Sequence, residues 1–212
     1  MLEFDLARTL QKLALILPGF LLAITFHEAA HGYVAYRLGD PTAKFAGRLT
    51  LNPLKHLDVV GTLVLVITQL IGWAKPVPVN PRFFKDPRKG MMLVGLAGPM
   101  TNFLLAAVLS QLFAVLASLQ VADPTMRSIL VPLAGICQWG MLINLVLGCF
   151  NLLPIPPLDG SNVLSYFLPR QAAYQYESLG RYGFIIVILL AVTGMLGEIL
   201  LPMVNFLANL LL

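Results

Sequence analysis

The sequence predicts an all-α polytopic membrane protein. It has about four to six transmembrane or re-entrant helices, with short membrane-associated β-strands beside its one polar centre. Three observations carry this reading. Of the 212 residues, 58% are hydrophobic and only 11% charged, whereas a soluble domain averages about 25% charged. Mean hydropathy is +0.82, more apolar surface than water tolerates. The apolar residues also gather into segments near the roughly 20 residues that a spanning helix needs. The length suits several spans in one compact bundle, so residues 1–212 read as a single membrane domain without room for an added soluble one.

Four segments are long enough to span: Leu13–Tyr36, Met91–Leu119, Ile129–Leu153 and Phe184–Leu201. Pro18 and Gly19 lie in the first, where neighbouring helices can accommodate a kink. Val59–Trp73 and Ile199–Leu212 are shorter and carry polar residues, the pattern of re-entrant or interfacial segments. The stretch "MLEFDLARTLQK" mixes acidic and basic residues and lacks a small-residue cleavage site, so the first span reads as its own insertion signal. Cys137 and Cys149 share one apolar segment and read as buried free thiols.

Charge orients the chain. The formal net charge is +4, which in a membrane protein reflects loop bias, not nucleic-acid binding. Arg37, Lys44, Arg48 and Lys55 precede Val59–Trp73, and Lys75, Arg82, Lys85, Arg88 and Lys89 follow it. If that segment dips in and returns, these residues lie on one side with Arg170 and Arg181. Eleven of the fourteen Lys and Arg then face the cytoplasm, against Arg8, Lys12 and Arg127 outside, as the positive-inside bias favours. The expected setting is a cell (inner or plasma) membrane, with the polar centre opening to the cytoplasm.

Two stretches read as β. Lys44–Asn52 alternates with period two, with Phe45, Leu49 and Leu51 on one face and Lys44, Arg48 and Thr50 on the other. Lys75–Pro81 has prolines at 76 and 78, so one edge loses its donors while Val77 and Val79 keep theirs on the other, an edge-strand pattern.

The polar centre is "FHEAAHG". His27 and His31 are four apart and share one face of a helix, so both can bind one metal ion. Glu28 beside them is free to act as a base. This is H-E-x-x-H, which in zinc proteases supplies two ligands and the general base. Its apolar setting adds weight, since an ionisable group at membrane depth costs about 2.5–3.5 kcal/mol on insertion scales. Catalytic zinc takes three protein ligands and an open position. A metzincin would place a histidine at residue 37, which is Arg37. His56, Asp58 and Asp159 remain as candidates for the third. Asp159 ends an apolar segment among Pro154, Pro156 and Pro157, where a helix must break, although an Asp-Gly turn at a membrane exit has the same appearance.

"HEAAHG" followed far downstream by "NLLPIPPLDG", with "GLAGPMTNF" between, resembles the site-2 protease family of intramembrane zinc metalloproteases. "LTLNPLKHLDVVGTL" and "WAKPVPVNP" resemble its compact branch, which lacks PDZ and CBS domains. The resemblance implies that His27, His31 and Asp159 hold zinc and that Glu28 activates water. It also implies that Asn151 helps hold substrate or the developing oxyanion. The implied function is an intramembrane zinc endopeptidase that acts on transmembrane protein substrates in the lipid bilayer. The alternative is a non-catalytic zinc-binding membrane protein or metal transporter, which would carry acidic or histidine residues along several spans. Asn102 is read as bonding between helices, and Asn144 as a packing residue or a neighbour of the site one helical face from Asn151.

Overall fold

A computed structural model describes residues 6–68 and 73–212. Among these the protein is helical, with α1 (Leu6–Arg37), α2 (Thr42–Phe45), α3 (Val59–Thr68), α4 (Pro87–Ser118), α5 (Pro124–Asn151), α6 (Asp159–Phe167), α7 (Arg170–Ser178), α8 (Gly180–Val192) and α9 (Met195–Leu211). Single 3₁₀ turns form at Pro53–Lys55 and Pro81–Phe83.

By length and composition α1, α4 and α5 can each cross a membrane, and they match the first three expected spans. They form the body of the protein and pack on one another. The expected fourth span, Phe184–Leu201, is divided. Helix α8 stops at Val192, and Gly194 takes a left-handed φ of 79° before α9 begins. Helices α7 and α8 are bent by 59° and count as a fourth span only if taken together. The segment Ile199–Leu212 falls in α9, which is 17 residues long with Pro202 inside.

Helix termini follow local rules. Asp86 caps α4 and Asp123 caps α5, each accepting from backbone N–H groups of the first turn with a proline at the start of the helix. Helix α4 runs antiparallel to α1, as the contacts of His31 with Val94 and His27 with Asn102 require, and α5 runs parallel to α1, as those of Leu15 with Gly135 and Gly19 with Gly140 require. The interior is built from small and polar residues, with Asn102, Asn144 and Ser110 fully buried. Leu104, Val131 and Ile129 face outward, the reverse of a soluble bundle and the arrangement expected when the surroundings are hydrocarbon. An apolar cluster of Ala106, Met141, Leu145, Cys149 and Val204 ties α4 and α5 to α9. Cys137 and Cys149 are buried and free.

The segment after Leu57 leaves and returns at one level. Leu57 and Ala74 form an antiparallel bridge, and the Lys75 N–H donates to the His56 carbonyl at 2.9 Å. Helix α3 covers the first part of Val59–Trp73, and residues 69–72 of that segment lie outside those described. Both flanking basic loops therefore sit at the same end of the bundle.

Neither expected strand forms. In Lys44–Asn52 the Asp40 carboxylate takes the N–H and hydroxyl of Thr42, which starts the short helix α2. Gly47 then has a φ of 64°, so the alternation never becomes a pleat. Phe45 is 83% exposed, while Arg48, expected on the polar face, is buried with its guanidinium on the Lys75 carbonyl. Lys75–Pro81 has no regular structure from 75 to 80 and pairs with no strand among the described residues; the single bridge, Leu57–Ala74, lies just before it. It is held by single pegs instead, among them Asp40 Oδ2, which accepts from the Asn80 N–H at 2.6 Å.

Burial alone would raise the pKa of Asp40. The N–H of Asn80 and the hydroxyl and N–H of Thr42 outweigh it and hold the carboxyl below the usual carboxylate range. The stabilisation is therefore complete above the unfolded value of about 3.9 and is lost as pH falls through the folded value. Asp40→Ala is expected to destabilise the detergent-solubilised protein by about 2–3 kcal/mol. Thermal unfolding should show a gap between wild type and variant that is constant from pH 8 to about 5 and closes below about 3.9.

Candidate metal centre

His27 and His31 lie on the buried face of α1, and Asp159 is the first residue of α6. The two Nε2 atoms are 3.0 Å apart. Each faces Asp159 Oδ2, at 3.1 Å from His27 and 3.2 Å from His31. The rings meet edge to face, with centroids 4.6 Å apart.

The protons can be placed from the hydrogen-bond network. The Gly140 carbonyl can only accept, so Asn144 turns its Nδ2 toward it, at 2.8 Å. Asn144 Oδ1 then accepts from Asn102 Nδ2 at 2.8 Å, and that same nitrogen donates to the Ala23 carbonyl at 3.2 Å. Asn102 Oδ1 is left facing His27 Nδ1 at 2.6 Å, so His27 carries its proton on Nδ1. His31 Nδ1 lies 2.7 Å from the Val94 carbonyl and must donate as well. In the neutral rings both Nε2 atoms are therefore bare lone pairs.

Two bare nitrogens and a carboxylate oxygen thus converge with no proton among them. Asp159 Oδ2 is buried without a hydrogen-bond donor. Such a cluster is repulsive unless a cation lies within it. The spacing fits zinc: tetrahedral ligands at 2.0–2.1 Å stand about 3.3 Å from one another. Among the described residues this is the group of His, Cys, Asp and Glu side chains able to hold a metal ion.

A cavity of about 530 Å³ opens over the cluster. Glu28 lines it, and its Oε2 accepts from the Val77 N–H at 2.9 Å. The donor expected to be free on that edge is thus committed to the candidate base. Phe20, Ile24, Trp73 and Phe150 supply apolar walls. Asn151 lines the same cavity at the end of α5, with Nδ2 donating to the Leu147 carbonyl at 3.0 Å. His56 and Asp58 are not brought to the centre. His56 is buried and bonds the Thr50 carbonyl at 2.8 Å, and Asp58 accepts from the Gly61 N–H at the start of α3.

Sequence reasoning expected Asn102 to bond between helices but did not name His27 as its partner. The signal was available in "GPMTN": an Asn in the interior of a spanning helix needs a partner, and an imidazole in a facing span is one. Gly98 of α4 makes room for the two rings. A Cβ there would lie 2.6 Å from His31 Nε2 and 2.7 Å from His27 Nε2.

The sequence profile of peptidase family M50 matches residues 15–192. YwhC of Bacillus subtilis is 42% identical over 188 residues, 87% of this chain and 83% of that protein. Rip2 of Mycolicibacterium smegmatis is 33% identical over 87% of this chain and 69% of that protein. Rip2 of Mycobacterium tuberculosis is 30% identical over 84% of this chain and 68% of that protein. All three are named as zinc metalloproteases. No solved structure matches the chain.

Gly98→Ala is expected to abolish zinc binding while the protein remains folded, because the methyl group displaces two rings that are each pinned at Nδ1. Metal analysis of the purified variant, alongside its circular dichroism, checks this. Asn102→Leu removes the acceptor that fixes the His27 proton, and should weaken zinc by about 10–100-fold, measured by competition with a chelator.

Proposed function

The chain belongs to peptidase family M50, the site-2 protease family, with zinc as its cofactor, and from this we propose that it is an intramembrane zinc endopeptidase cutting peptide bonds in or beside the transmembrane segments of other membrane proteins. The convergence of two proton-free imidazole nitrogens and one donorless carboxylate oxygen at the base of an apolar cleft carries this reading. We assign His27, His31 and Asp159 as the zinc ligands, Glu28 as general base and Asn151 as a substrate or oxyanion contact, with residues 1–212 acting as one catalytic domain.

When bound, zinc supplies a Lewis acid that lowers the pKa of water toward about 7 and draws charge from a carbonyl oxygen. Glu28 has one oxygen on Val77, and the other has no hydrogen-bond partner among the described residues. That free oxygen accepts the proton of the attacking water and returns it to the leaving amine. Asn151 commits one N–H to Leu147 and has a second to give to the developing oxyanion, a contact worth about 3–4 kcal/mol in comparable sites. The Nδ1 partners of both histidines keep their rings fixed throughout. The apolar walls exclude bulk water, which strengthens each of these polar contacts. A substrate helix must unwind to present a carbonyl, and the segment Lys75–Asn80 beside the cleft gives it a surface to lie along.

The membrane is a cell membrane and the cleft opens to the cytoplasm in this reading. The segregation of Lys and Arg to the end of the bundle that bears the centre supports it. The metal-transporter reading needs ligands at several depths, whereas those found among the described residues cluster at one.

Glu28→Gln is expected to keep stoichiometric zinc and lose cleavage of a reconstituted membrane substrate by at least about 10²-fold. Asp159→Ala should cut zinc affinity, leaving only weak binding by the two histidines, and abolish activity, while His56→Ala should keep its metal. Cleavage assays with zinc analysis of the three purified variants check this. Turnover by Glu28→Gln, or zinc retained without Asp159 and lost without His56, would overturn the assignment.

A further inference from the structure

The Arg88 side chain reaches across from the first turn of α4 to the far end of α6. Its Nη2 shares its two N–H groups among three carbonyls: Ser165 at 2.6 Å, Tyr166 at 3.0 Å and Leu168 at 2.5 Å. These lie in or just past the last turn of α6, where carbonyls lack intrahelical donors and the helix carries its partial negative charge. Arg88 is half-buried, unlike its exposed neighbours Lys85 and Lys89. A guanidinium that serves three backbone acceptors is a clamp, not a solvated loop charge.

Helix α6 needs such a clamp. It has nine residues, too few to hold itself together, and it begins at Asp159. At that end it rests on Gly95 of α4, where a Cβ would lie 2.8 Å from the Asp159 carbonyl. Gly95 and Arg88 are two turns apart, about 10.5 Å along α4. The nine residues of α6 span about 13.5 Å. Helix α6 therefore lies antiparallel on α4 between two fixed points, one at the candidate ligand and one at Arg88. At the Arg88 end, the Ser165 hydroxyl also bonds Glu177 of α7.

We propose that Arg88 is a positioning residue for the metal centre, which by fixing the C-terminus of α6 holds Asp159 against His27 and His31. This rests on Asp159 being a zinc ligand. Without the clamp, α6 frays from its last turn and slides on Gly95, and Asp159 loses its register with the two imidazoles.

The test is metal affinity by chelator competition, together with the visible absorption of the cobalt(II)-substituted protein. Both are measured in a Glu28→Gln background, so that turnover plays no part. Arg88→Ala should weaken zinc by about 10–100-fold, as loss of an outer support to a metal ligand does elsewhere, and should lower the intensity of the cobalt bands. Arg88→Lys, which keeps the charge but not the planar fork, should fall between, and it decides the matter if the alanine variant does not fold. Lys89→Ala should match the parent. In an Asp159→Ala background, Arg88→Ala should add less than twofold, because its effect passes through Asp159. An equal further loss in that background would mean a general structural role and overturn the proposal. So would parental zinc affinity and cobalt bands in Arg88→Ala. If Asp159→Ala itself leaves affinity unchanged, the ligand assignment and this proposal fail together, whereas loss in Asp159→Ala with none in Arg88→Ala defeats this proposal alone.

Discussion

The hydrogen bond from His27 Nδ1 to Asn102 Oδ1 sets the terms for the rest of the structure. An imidazole in a spanning helix has one proton to place, and a metal ion can be held only if that proton is turned away. Within hydrocarbon there is no water to take the other nitrogen, so the acceptor must come from the protein. Asn102 provides it, and the direction of its amide is fixed in turn by Asn144 and by the carbonyls of Ala23 and Gly140. The relay crosses α1, α4 and α5. Three helices are thus committed to the tautomer of one side chain, which explains why fully buried asparagines occupy positions where a soluble bundle would carry leucine.

Helix α4 is the common reference for the whole centre. It supplies Asn102 to His27, the Val94 carbonyl to His31, and Gly95 and Arg88 to the helix that begins at Asp159. Gly98 gives the two rings the space to meet. These five residues fall within four turns, so a rigid helix sets the distances between groups that are far apart in sequence. The membrane favours this solution. Helix association there depends on close packing and hydrogen bonds, not on burial of apolar surface, and both are concentrated along the face of α4 that looks toward the centre.

The spans of α1, α4 and α5 and the motif of His27, Glu28 and His31 were legible because each has a local signature, a long apolar run or an i, i+4 histidine pair, whereas Asp159 was one of three candidates that only the family resemblance separated. What was not legible depends on contacts between distant residues. Phe184–Leu201 is apolar apart from Thr193, Gly194, Gly197 and Glu198, and its division falls at Gly194, whose left-handed φ is a choice that apolar length alone does not reveal. The alternation in Lys44–Asn52 was real, yet Asp40 starts a helix inside it and Arg48 is drawn inward by the Lys75 carbonyl. Arg88 was counted as one loop cation among several, because nothing in the sequence shows that α6 ends beside it. Asn151 was placed by resemblance alone, and the structure does bring it to the wall of the cleft.

The alternating prolines at 76 and 78 show how backbone hydrogen bonding links the fold to the base. Every N–H in a segment beside an apolar cleft needs an acceptor. In an extended chain successive N–H groups point to opposite edges, so residues 75 and 77 look one way and 76 and 78 the other. The N–H groups of Lys75 and Val77 reach His56 and Glu28. On the opposite edge the Asn80 N–H reaches Asp40, and at 76 and 78 proline removes the donor altogether. Both prolines are exposed, and both hold φ near its fixed value, so the backbone around Val77 is stiff. The Val77 N–H is therefore a fixed point from which one oxygen of Glu28 hangs, leaving the other without a hydrogen-bond partner among the described residues. The same pair of residues that removes unsatisfied donors from the outer edge of the segment thereby orients the carboxylate on its inner edge.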